Sequence, residues 1–252
     1  MWLTTPETIE HVLVERPLEP VSDDVLDQSA RDWQSRGVKL VDRDEVLRNM
    51  PVVGIGQSET WTLQDFYSPS KLPRPIRTKL SQADFYVVRL SCSFRPVHEE
   101  SRVEWARFRA ALLPLSSTGA QPIAFDFYPQ QVVQEVKRQI KVTLSPSLKF
   151  QELEASLGSA EFGFEYTELI PLVSAAIGTS FDPSWDYRAG PGQEVQGTKW
   201  MYLLVKAPKG MTSGRALLEL EADVLVRGVR LPVTFWRKQE QEPEQLTVAL
   251  WG

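Results

Sequence analysis

Hydrophobic and polar residues alternate with a period of two along much of this chain. The clearest example lies between residues 138 and 150, where the apolar positions are Ile140, Val142, Leu144, Leu148 and Phe150. Successive side chains of a strand point to opposite faces of a sheet, so this pattern predicts a strand with one face on a core and the other in water. Such strands are typical of antiparallel sheets.

The same alternation predicts strands over most of the remaining chain. They are expected at residues 84–95, 103–113, 123–127, 162–166, 200–206, 218–226, 229–235 and 246–250. A tight turn at Arg227 and Gly228 joins two of them into a hairpin. The predicted fold is therefore mainly β: an antiparallel two-sheet β-sandwich, immunoglobulin-like or jelly-roll-like, with a small helical N-terminal part.

The helical pattern is confined to the first fifty residues. Ser22 is placed to cap a helix that begins at Asp23, and an apolar stripe continues along it until Gly37 ends it. A second short helix is expected at residues 42–49. We therefore predict a helical or mixed N-terminal region at residues 1–68.

A change of composition follows this N-terminal region. Proline and glycine recur through residues 54–79, a stretch that is expected to lack regular structure. Within it, residues 69–79 are predicted to be a linker or an extended arm, and residues 80–252 to form the sandwich domain.

Composition and cysteine content limit the class of protein further. Of the 252 residues, 42% are hydrophobic and 24% are charged, which is typical of a globular protein. The longest apolar stretch, residues 169–177, is too short for a membrane-spanning helix. The acidic start of the chain does not resemble a secretory signal, and Cys92, the single cysteine, cannot form an internal disulfide. A cytoplasmic location is expected.

The net charge of −5 conceals an uneven distribution. Acidic residues outnumber basic ones by 11 to 6 in residues 1–50 and by 14 to 9 in residues 151–252, whereas basic residues lead by 13 to 8 in residues 51–150. This asymmetry either attracts a charged partner or holds the ends against the middle of the same molecule. A sequence pI near 5.3 argues against bulk binding to nucleic acid.

The residue types needed for catalysis or metal binding are scarce. Histidine occurs only at positions 11 and 98, and Cys92 falls on an apolar strand face where a free cysteine acts as a small hydrophobe. Three carboxylates, Glu219, Glu221 and Asp223, share one face of a predicted strand, and exposure of that face to solvent is enough to explain them. We therefore predict no catalytic residue, no metal site and no cofactor.

Three segments are candidates for binding. The first, residues 181–187, is interpreted as a loop in which Asp182, Trp185, Asp186 and Tyr187 either grip a sugar or a peptide or close the end of the sandwich. In the second case, the Trp185 side chain fills the end of the core between the two sheets.

The other two candidates are basic. Arginines alternate with aromatic residues at Trp105, Arg107 and Arg109, a combination that stacks on bases or simply covers the outer face of a strand. The arm at residues 69–79 carries four positive charges, which either bind anionic lipid headgroups or an acidic protein surface or belong to a solvated linker. Its candidate binding residues are Lys71, Arg74 and Arg77.

Together these features favour a non-enzymatic, soluble binding or assembly protein that acts through protein–protein contacts of a β-sandwich, with a protein partner or further copies of itself. One alternative is a membrane-acting effector, pore-forming or lipid-binding, in which amphipathic strands such as residues 140–150 rearrange on an anionic bilayer. A second alternative is a hydrolase using carboxylates such as Asp182 and Asp186, or a module that binds glycans.

Overall fold

The structure is a computed structural model in which the chain forms two stacked β-sheets with short helical segments on their surfaces. The residues it describes are 2–3, 11–37, 43–114, 121–135, 139–143, 149–150, 172–177, 181–190, 194–235 and 246–252.

Seventeen strands and four α-helices lie within these ranges. The strands are β1 (Trp2–Leu3), β2 (Val12–Pro17), β3 (Glu19–Pro20), β4 (Val52–Gly56), β5 (Glu59–Thr62), β6 (Ala83–Arg95), β7 (Ser101–Leu113), β8 (Ile123–Tyr128), β9 (Gln131–Glu135), β10 (Gln139–Thr143), β11 (Lys149–Phe150), β12 (Leu172–Ile177), β13 (Pro183–Arg188), β14 (Gly197–Pro208), β15 (Gly214–Val226), β16 (Val229–Thr234) and β17 (Leu246–Trp251). The helices are α1 (Asp23–Ser35), α2 (Arg43–Arg48), α3 (Leu63–Phe66) and α4 (Arg74–Arg77), with a 3-10 turn at Pro69–Lys71.

The two large sheets are antiparallel throughout their described pairings. Sheet 1 has the strand order β10-β9-β12-β13-β7-β15-β16-β3, with β17 on the same edge of β15 as β16. Sheet 2 has the order β2-β4-β6-β14-β8, with β5 beside β4 on the same edge of β6. Strands β1 and β11 form a separate parallel pair.

The main core lies between the two sheets. Sheet 2 contributes the row Val88, Leu90, Cys92 and Phe94 of β6, all of which are almost fully buried. Sheet 1 contributes alternate residues of β7, β13 and β15, including Phe108, which is also fully buried. The predicted two-sheet antiparallel sandwich with a small helical part is therefore confirmed.

Local predictions with a specific chemical cause are also confirmed. The turn between β15 and β16 has φ of 45° at Arg227 and 79° at Gly228, the two positive values that a tight hairpin turn of this kind requires. Helix α1 begins at the predicted residue, where the Ser22 hydroxyl accepts a hydrogen bond of 3.3 Å from the Val25 amide. Its end is followed by Gly37, which has φ of 72°.

The prediction that residues 54–79 lack regular structure is wrong. This stretch completes β4 and forms β5, α3, the 3-10 turn and α4. The expected extended arm is instead a folded cap on the outer face of sheet 2, because Leu63, Leu72 and Ile76 are buried there against residues of β6, β8 and β14. Sheet 2 is thus covered on both faces.

The N-terminal part contributes to both sheets. Strand β3 pairs with β16 in sheet 1, while β4 and β5 pair with β6 in sheet 2. The predicted boundary at residue 68 therefore does not coincide with a break between the sheets. Of the long strand predicted at residues 138–150, β10 and β11 are described, and the strand predicted at residues 162–166 lies outside the described residues.

Candidate functional site

The cap on sheet 2, residues 63–80, carries a group of unpaired cations. Lys71, Arg74 and Arg77 are all exposed, and none forms an ion pair with a described residue. The Arg77 guanidinium donates a hydrogen bond of 3.3 Å to the Ser70 carbonyl oxygen, and the Lys79 ammonium lies 5.8 Å from the centroid of the Phe125 ring. We call Lys71, Arg74, Arg77 and Lys79 the basic cap.

Burial of apolar residues fixes the basic cap in place. Ile76, between the two arginines of α4, is 0% exposed, and Leu72 is 3% exposed. Because α4 is only one turn long, its arginines are held outward by the packing of Ile76 rather than by helix propensity. The four positive charges are therefore concentrated on a rigid surface and not on a free arm.

Three aromatic residues, Trp61, Tyr67 and Trp200, pack against the apolar cluster that holds Leu63, Leu72 and Ile76 of the cap. The Arg89 guanidinium carbon lies 5.4 Å from the centroid of Trp61 and 4.7 Å from that of Trp200, and Arg89 also pairs with the Glu59 carboxylate. Arg89 is only 7% exposed. The two indole rings and the nearby phenol of Tyr67 are half-buried, and burial raises the pKa of Tyr67.

On the outer face of sheet 1, by contrast, two arginines of β7 are paired with carboxylates of the neighbouring strands. Arg107 of β7 lies directly opposite Asp186 of β13, and its Nε and Nη2 atoms donate to Oδ1 at 2.6 Å and to Oδ2 at 2.9 Å. Chiefly through this hydrogen bonding, the pKa of Arg107 rises above its usual value. Two predicted binding residues are thus partners of each other.

Arg109 repeats this arrangement two residues further along β7. It donates to the two carboxylate oxygens of Asp182 at 2.5 and 2.7 Å, and its third nitrogen donates to Glu219. Hydrogen bonding to Asp182 is the main reason why the pKa of Arg109 rises. Asp182 and Glu219 are therefore both partners of Arg109.

The interpretation of residues 181–187 as a loop is wrong. Pro183–Arg188 form strand β13 in the middle of sheet 1, and its inward row includes Trp185, which is 0% exposed, and Tyr187, which is 2% exposed. Their rings contact Phe108, Phe127 and Phe94 in the main core. Neither ring is accessible to a sugar or a peptide, because both sides of β13 are paired and the other sheet covers them.

Trp105, another predicted binding residue, is half-exposed on the outer face of sheet 1. It lies between Arg188 on β13 and Asp223 on β15, and the Arg107 guanidinium carbon is 5.3 Å from its ring centroid. Its face is therefore occupied by a neighbouring arginine that is itself paired with Asp186. This arrangement matches the prediction of arginines lying over an outer strand face.

Residues considered for catalysis have ordinary structural surroundings. Cys92 is fully buried, and burial raises the pKa of its thiol to about 12. His98 is exposed in the turn after β6, where its Nδ1 accepts a hydrogen bond of 3.1 Å from the Glu100 amide. Within the described ranges, no three histidine, cysteine, aspartate or glutamate side chains are grouped as metal ligands would be.

Comparisons with known proteins give no family for this chain. No protein-family model matches it, and no curated protein matches it in sequence. None of the helices in the described part of the chain has the length and apolarity needed to span a bilayer.

Several solved structures are similar to this chain at a low level. The NetB toxin of Clostridium perfringens in its membrane-inserted form is 8% identical, with 79% of this chain and 93% of that chain covered and a TM-score of 0.33. The collagen-binding subdomain of the Enterococcus faecalis surface protein ACE is 10% identical over 67% of this chain and 88% of that chain, with a TM-score of 0.29. A structure described as a pore-forming protein is 8% identical over 79% and 89%, also with a TM-score of 0.29. These proteins share with this chain a β-rich fold.

Proposed function

We propose that this protein is a non-enzymatic binding or assembly protein, and that the basic cap is the surface that contacts an acidic region of a partner protein. The observation that carries the proposal is the exposure of Lys71, Arg74 and Arg77 without a described carboxylate partner. Elsewhere on the molecule, arginines such as Arg107 and Arg109 are engaged with carboxylates. Among the described residues, the cap is therefore a concentration of positive charge that remains available for a partner.

Rigidity supports this role. Lysine and arginine side chains on a flexible arm lose backbone as well as side-chain freedom when they bind, and this loss weakens the complex. In the cap, burial of Leu72 and Ile76 has already fixed the backbone, so the cost of ordering is limited to the side chains. Opposite charges across such a contact increase the association rate and contribute to partner selection.

The non-enzymatic part of the proposal rests on how the candidate catalytic groups are used. Asp182 and Asp186 each accept two hydrogen bonds from an arginine, so both carboxylate oxygens of each residue are already engaged within the protein. Cys92 is buried as a neutral thiol, so it is a poor nucleophile. We also propose that the protein acts in the cytoplasm, where a cysteine such as Cys92, buried as a free thiol, stays reduced.

A comparison of charge-reversed variants tests the proposed surface. Tagged wild-type protein, an Arg74→Glu/Arg77→Glu variant and an Arg31→Glu/Arg215→Glu variant are used to capture partners from the native host. Arg31 and Arg215 are exposed and lie away from the cap on α1 and β15, so the second variant is matched in charge. The proposal predicts that only the cap variant loses a stoichiometric protein partner. Equal retention by both variants would contradict it.

A second candidate function is binding to an anionic membrane surface. The observation that favours it is that half-buried Trp61, Tyr67 and Trp200 pack against the same apolar cluster as Leu72 and Ile76 of the cap, because tryptophan and tyrosine are enriched where membrane and water meet. Each cation near an anionic surface contributes about 1 kcal/mol.

Vesicles distinguish this second candidate from the first. Binding to vesicles of phosphatidylserine and phosphatidylcholine, but not to pure phosphatidylcholine, would support it if the Arg74→Glu/Arg77→Glu variant loses the binding and the Arg31→Glu/Arg215→Glu variant keeps it. Absence of binding to either vesicle would exclude it and leave the protein partner. Leakage of vesicle contents, measured in the same samples, tests the pore-forming alternative.

A further inference from the structure

Two serine hydroxyls lie together on the surface of the cap. Ser68 and Ser70 stand on either side of the first residue of the 3-10 turn, both are exposed, and their hydroxyl oxygens are 3.4 Å apart. The Lys71 amide donates a hydrogen bond of 2.9 Å to the Ser68 carbonyl oxygen, which fixes the backbone of this turn. The Ser70 side chain is therefore held at a defined place and is accessible from solvent.

An arginine guanidinium is close to the same serine. The Nη1 atom of Arg77 donates its hydrogen bond of 3.3 Å to the Ser70 carbonyl oxygen, and Arg77 forms no ion pair with a described residue. The carbonyl oxygen and the hydroxyl oxygen belong to one residue. A group attached to the Ser70 hydroxyl therefore lies within one side-chain length of the Arg77 guanidinium.

The surroundings of Ser70 differ from those of another exposed serine, Ser35. Ser35 is in the last turn of α1, where its hydroxyl donates a hydrogen bond of 2.8 Å to the Asp32 carbonyl oxygen. The Ser70 hydroxyl has the Ser68 hydroxyl as its described partner instead, and Ser70 is followed by Lys71 and contacted by Arg77. An anionic group on Ser70 would thus be placed among cations.

A phosphoryl group matches these surroundings. Phosphoserine carries about −1.5 to −2 charges at pH 7 and has three acceptor oxygens. A guanidinium can donate two parallel hydrogen bonds to phosphate, and such charge-assisted bonds are stronger than those between neutral groups. The Ser68 hydroxyl, 3.4 Å from the Ser70 hydroxyl oxygen, is a further donor. One phosphoryl group would also balance about half of the four positive charges of the basic cap.

We propose that Ser70 is a phosphorylation site, and that a phosphoryl group on its hydroxyl pairs with Arg77 and weakens the binding of the basic cap to an acidic partner. This inference rests on the proposed function of the cap. A protein kinase with ATP as the donor supplies the group. The Ser70 Oγ forms a bond to the γ-phosphorus, the bond from that phosphorus to the bridging oxygen of ADP breaks, and the hydroxyl proton is released.

The pairing with Arg77 is tested without any partner. Phosphoserine is placed at position 70 by genetic-code expansion, and the second pKa of its phosphate is followed by phosphorus NMR. A nearby cation stabilises the dianion, so this pKa, ordinarily about 6, should be about 0.2–0.7 lower in the parent protein than with Arg77→Gln, as for an exposed ion pair. Arg31→Gln, on α1, is the matched control and should leave the phosphate pKa unchanged. Equal values in all three proteins would overturn the pairing.

The effect on binding is measured with a decaglutamate peptide as the acidic probe. Its dissociation constant is compared for the unmodified protein, for protein with phosphoserine at position 70, and for protein with phosphoserine at position 35, which adds the same charge on α1. Phosphorylation at Ser70 should weaken binding about tenfold, because two exposed charge contacts are lost, whereas phosphorylation at Ser35 should have much less effect. Equal weakening by both would overturn the inference.

Mass spectrometry of the protein isolated from its own host, with phosphatase inhibitors present, tests whether the modification occurs. A phosphopeptide that carries the group on Ser70 supports the inference, and a protein without phosphate at Ser70 would overturn it. Failure of the proposed function has a different result: the unmodified protein would not bind decaglutamate. In that case the phosphate pKa would still decide whether Arg77 pairs with phosphorylated Ser70.

Discussion

Arg107 and Asp186 lie directly opposite each other on β7 and β13 and are joined by two parallel hydrogen bonds of 2.6 and 2.9 Å. The arrangement is the bidentate geometry that makes arginine–carboxylate pairs specific. It also accounts for two of the residues that the sequence suggests for ligand binding, because each satisfies the other on the outer face of sheet 1.

The first prediction concerns this pair. Asp186→Asn removes the charge and should lower the free energy of unfolding by about 0.2–1 kcal/mol, the range for pairs that are partly exposed. Urea unfolding measures the change. Asp223→Asn, on the same face of sheet 1 without a described ion pair, is the control and should stay within about 0.5 kcal/mol of the wild type. A fully folded Asp186→Asn protein that loses a catalytic activity would instead favour the hydrolase alternative.

The second prediction concerns the buried tryptophan of β13. Trp185→Ala should lower the free energy of unfolding by about 3–5 kcal/mol, because it leaves a large cavity between the sheets. Trp105→Ala, on the outer face, should cost much less. Thermal or urea unfolding of the two variants provides the comparison. A stable Trp185→Ala protein that has lost only ligand binding would contradict the structural role.

The third prediction concerns Cys92. Burial raises the pKa of its thiol from 9.0 to about 12, so the native protein should react with a thiol reagent at pH 8 far more slowly than the unfolded protein. Because the pKa of the thiol is higher in the folded than in the unfolded protein, the protonated thiol of Cys92 favours the folded state. This contribution to the free energy of unfolding is present below pH 9 and is lost as the pH rises from about 9 to 12.

Urea unfolding of the wild type and Cys92→Ala over this pH range isolates the contribution of the thiol. The stability difference in favour of the wild type should fall by at most about 1.4 kcal/mol per pH unit above pH 9. Tyr187 also has a raised pKa and Lys199 a lowered one, but both are present in the two proteins. If the difference in free energy of unfolding between the wild type and Cys92→Ala stays constant from pH 8 to pH 11, the pKa of the Cys92 thiol is not raised in the folded protein.

The fourth prediction concerns the close approach of β4 to β6. A Cβ atom added at Gly56 would lie 2.0 Å from the Ser91 hydroxyl oxygen and 3.4 Å from the Ser91 Cβ. Gly56→Ala should therefore destabilise the protein by about 1–3 kcal/mol, as crowding of a packed region generally does. Ser91→Ala should recover most of this loss in the double variant, measured as a double-mutant cycle. Strictly additive effects would show that the two side chains do not meet.

Elements with a local cause are the ones that the sequence predicts well. The Arg227–Gly228 hairpin follows from residues that suit positive φ, and α1 follows from its Ser22 cap and apolar stripe. The strands of the sandwich follow from alternation. In each of these cases the determining residues lie within a few positions of one another.

Features that depend on distant parts of the chain are not predicted. Asp186 is 79 residues from Arg107, and only the register of β13 against β7 brings them together. The prolines of the cap suggest an irregular arm, whereas Ile76 is buried because the outer face of sheet 2 is apolar as well. Similarly, Pro183 and two aspartates make β13 resemble a loop until its position in the centre of sheet 1 is known.

The most direct test of the basic cap as a binding surface is the mass of the native complex. The protein is isolated from its own host at low and at high salt, and its mass is determined together with everything that co-purifies. We predict a stoichiometric protein partner at low salt that dissociates at high salt, because the Debye length falls from about 10 Å at 0.1 M to about 3 Å at 1 M ionic strength. A bare monomer at low salt, or a complex that high salt leaves intact, would contradict the proposed role of Lys71, Arg74 and Arg77.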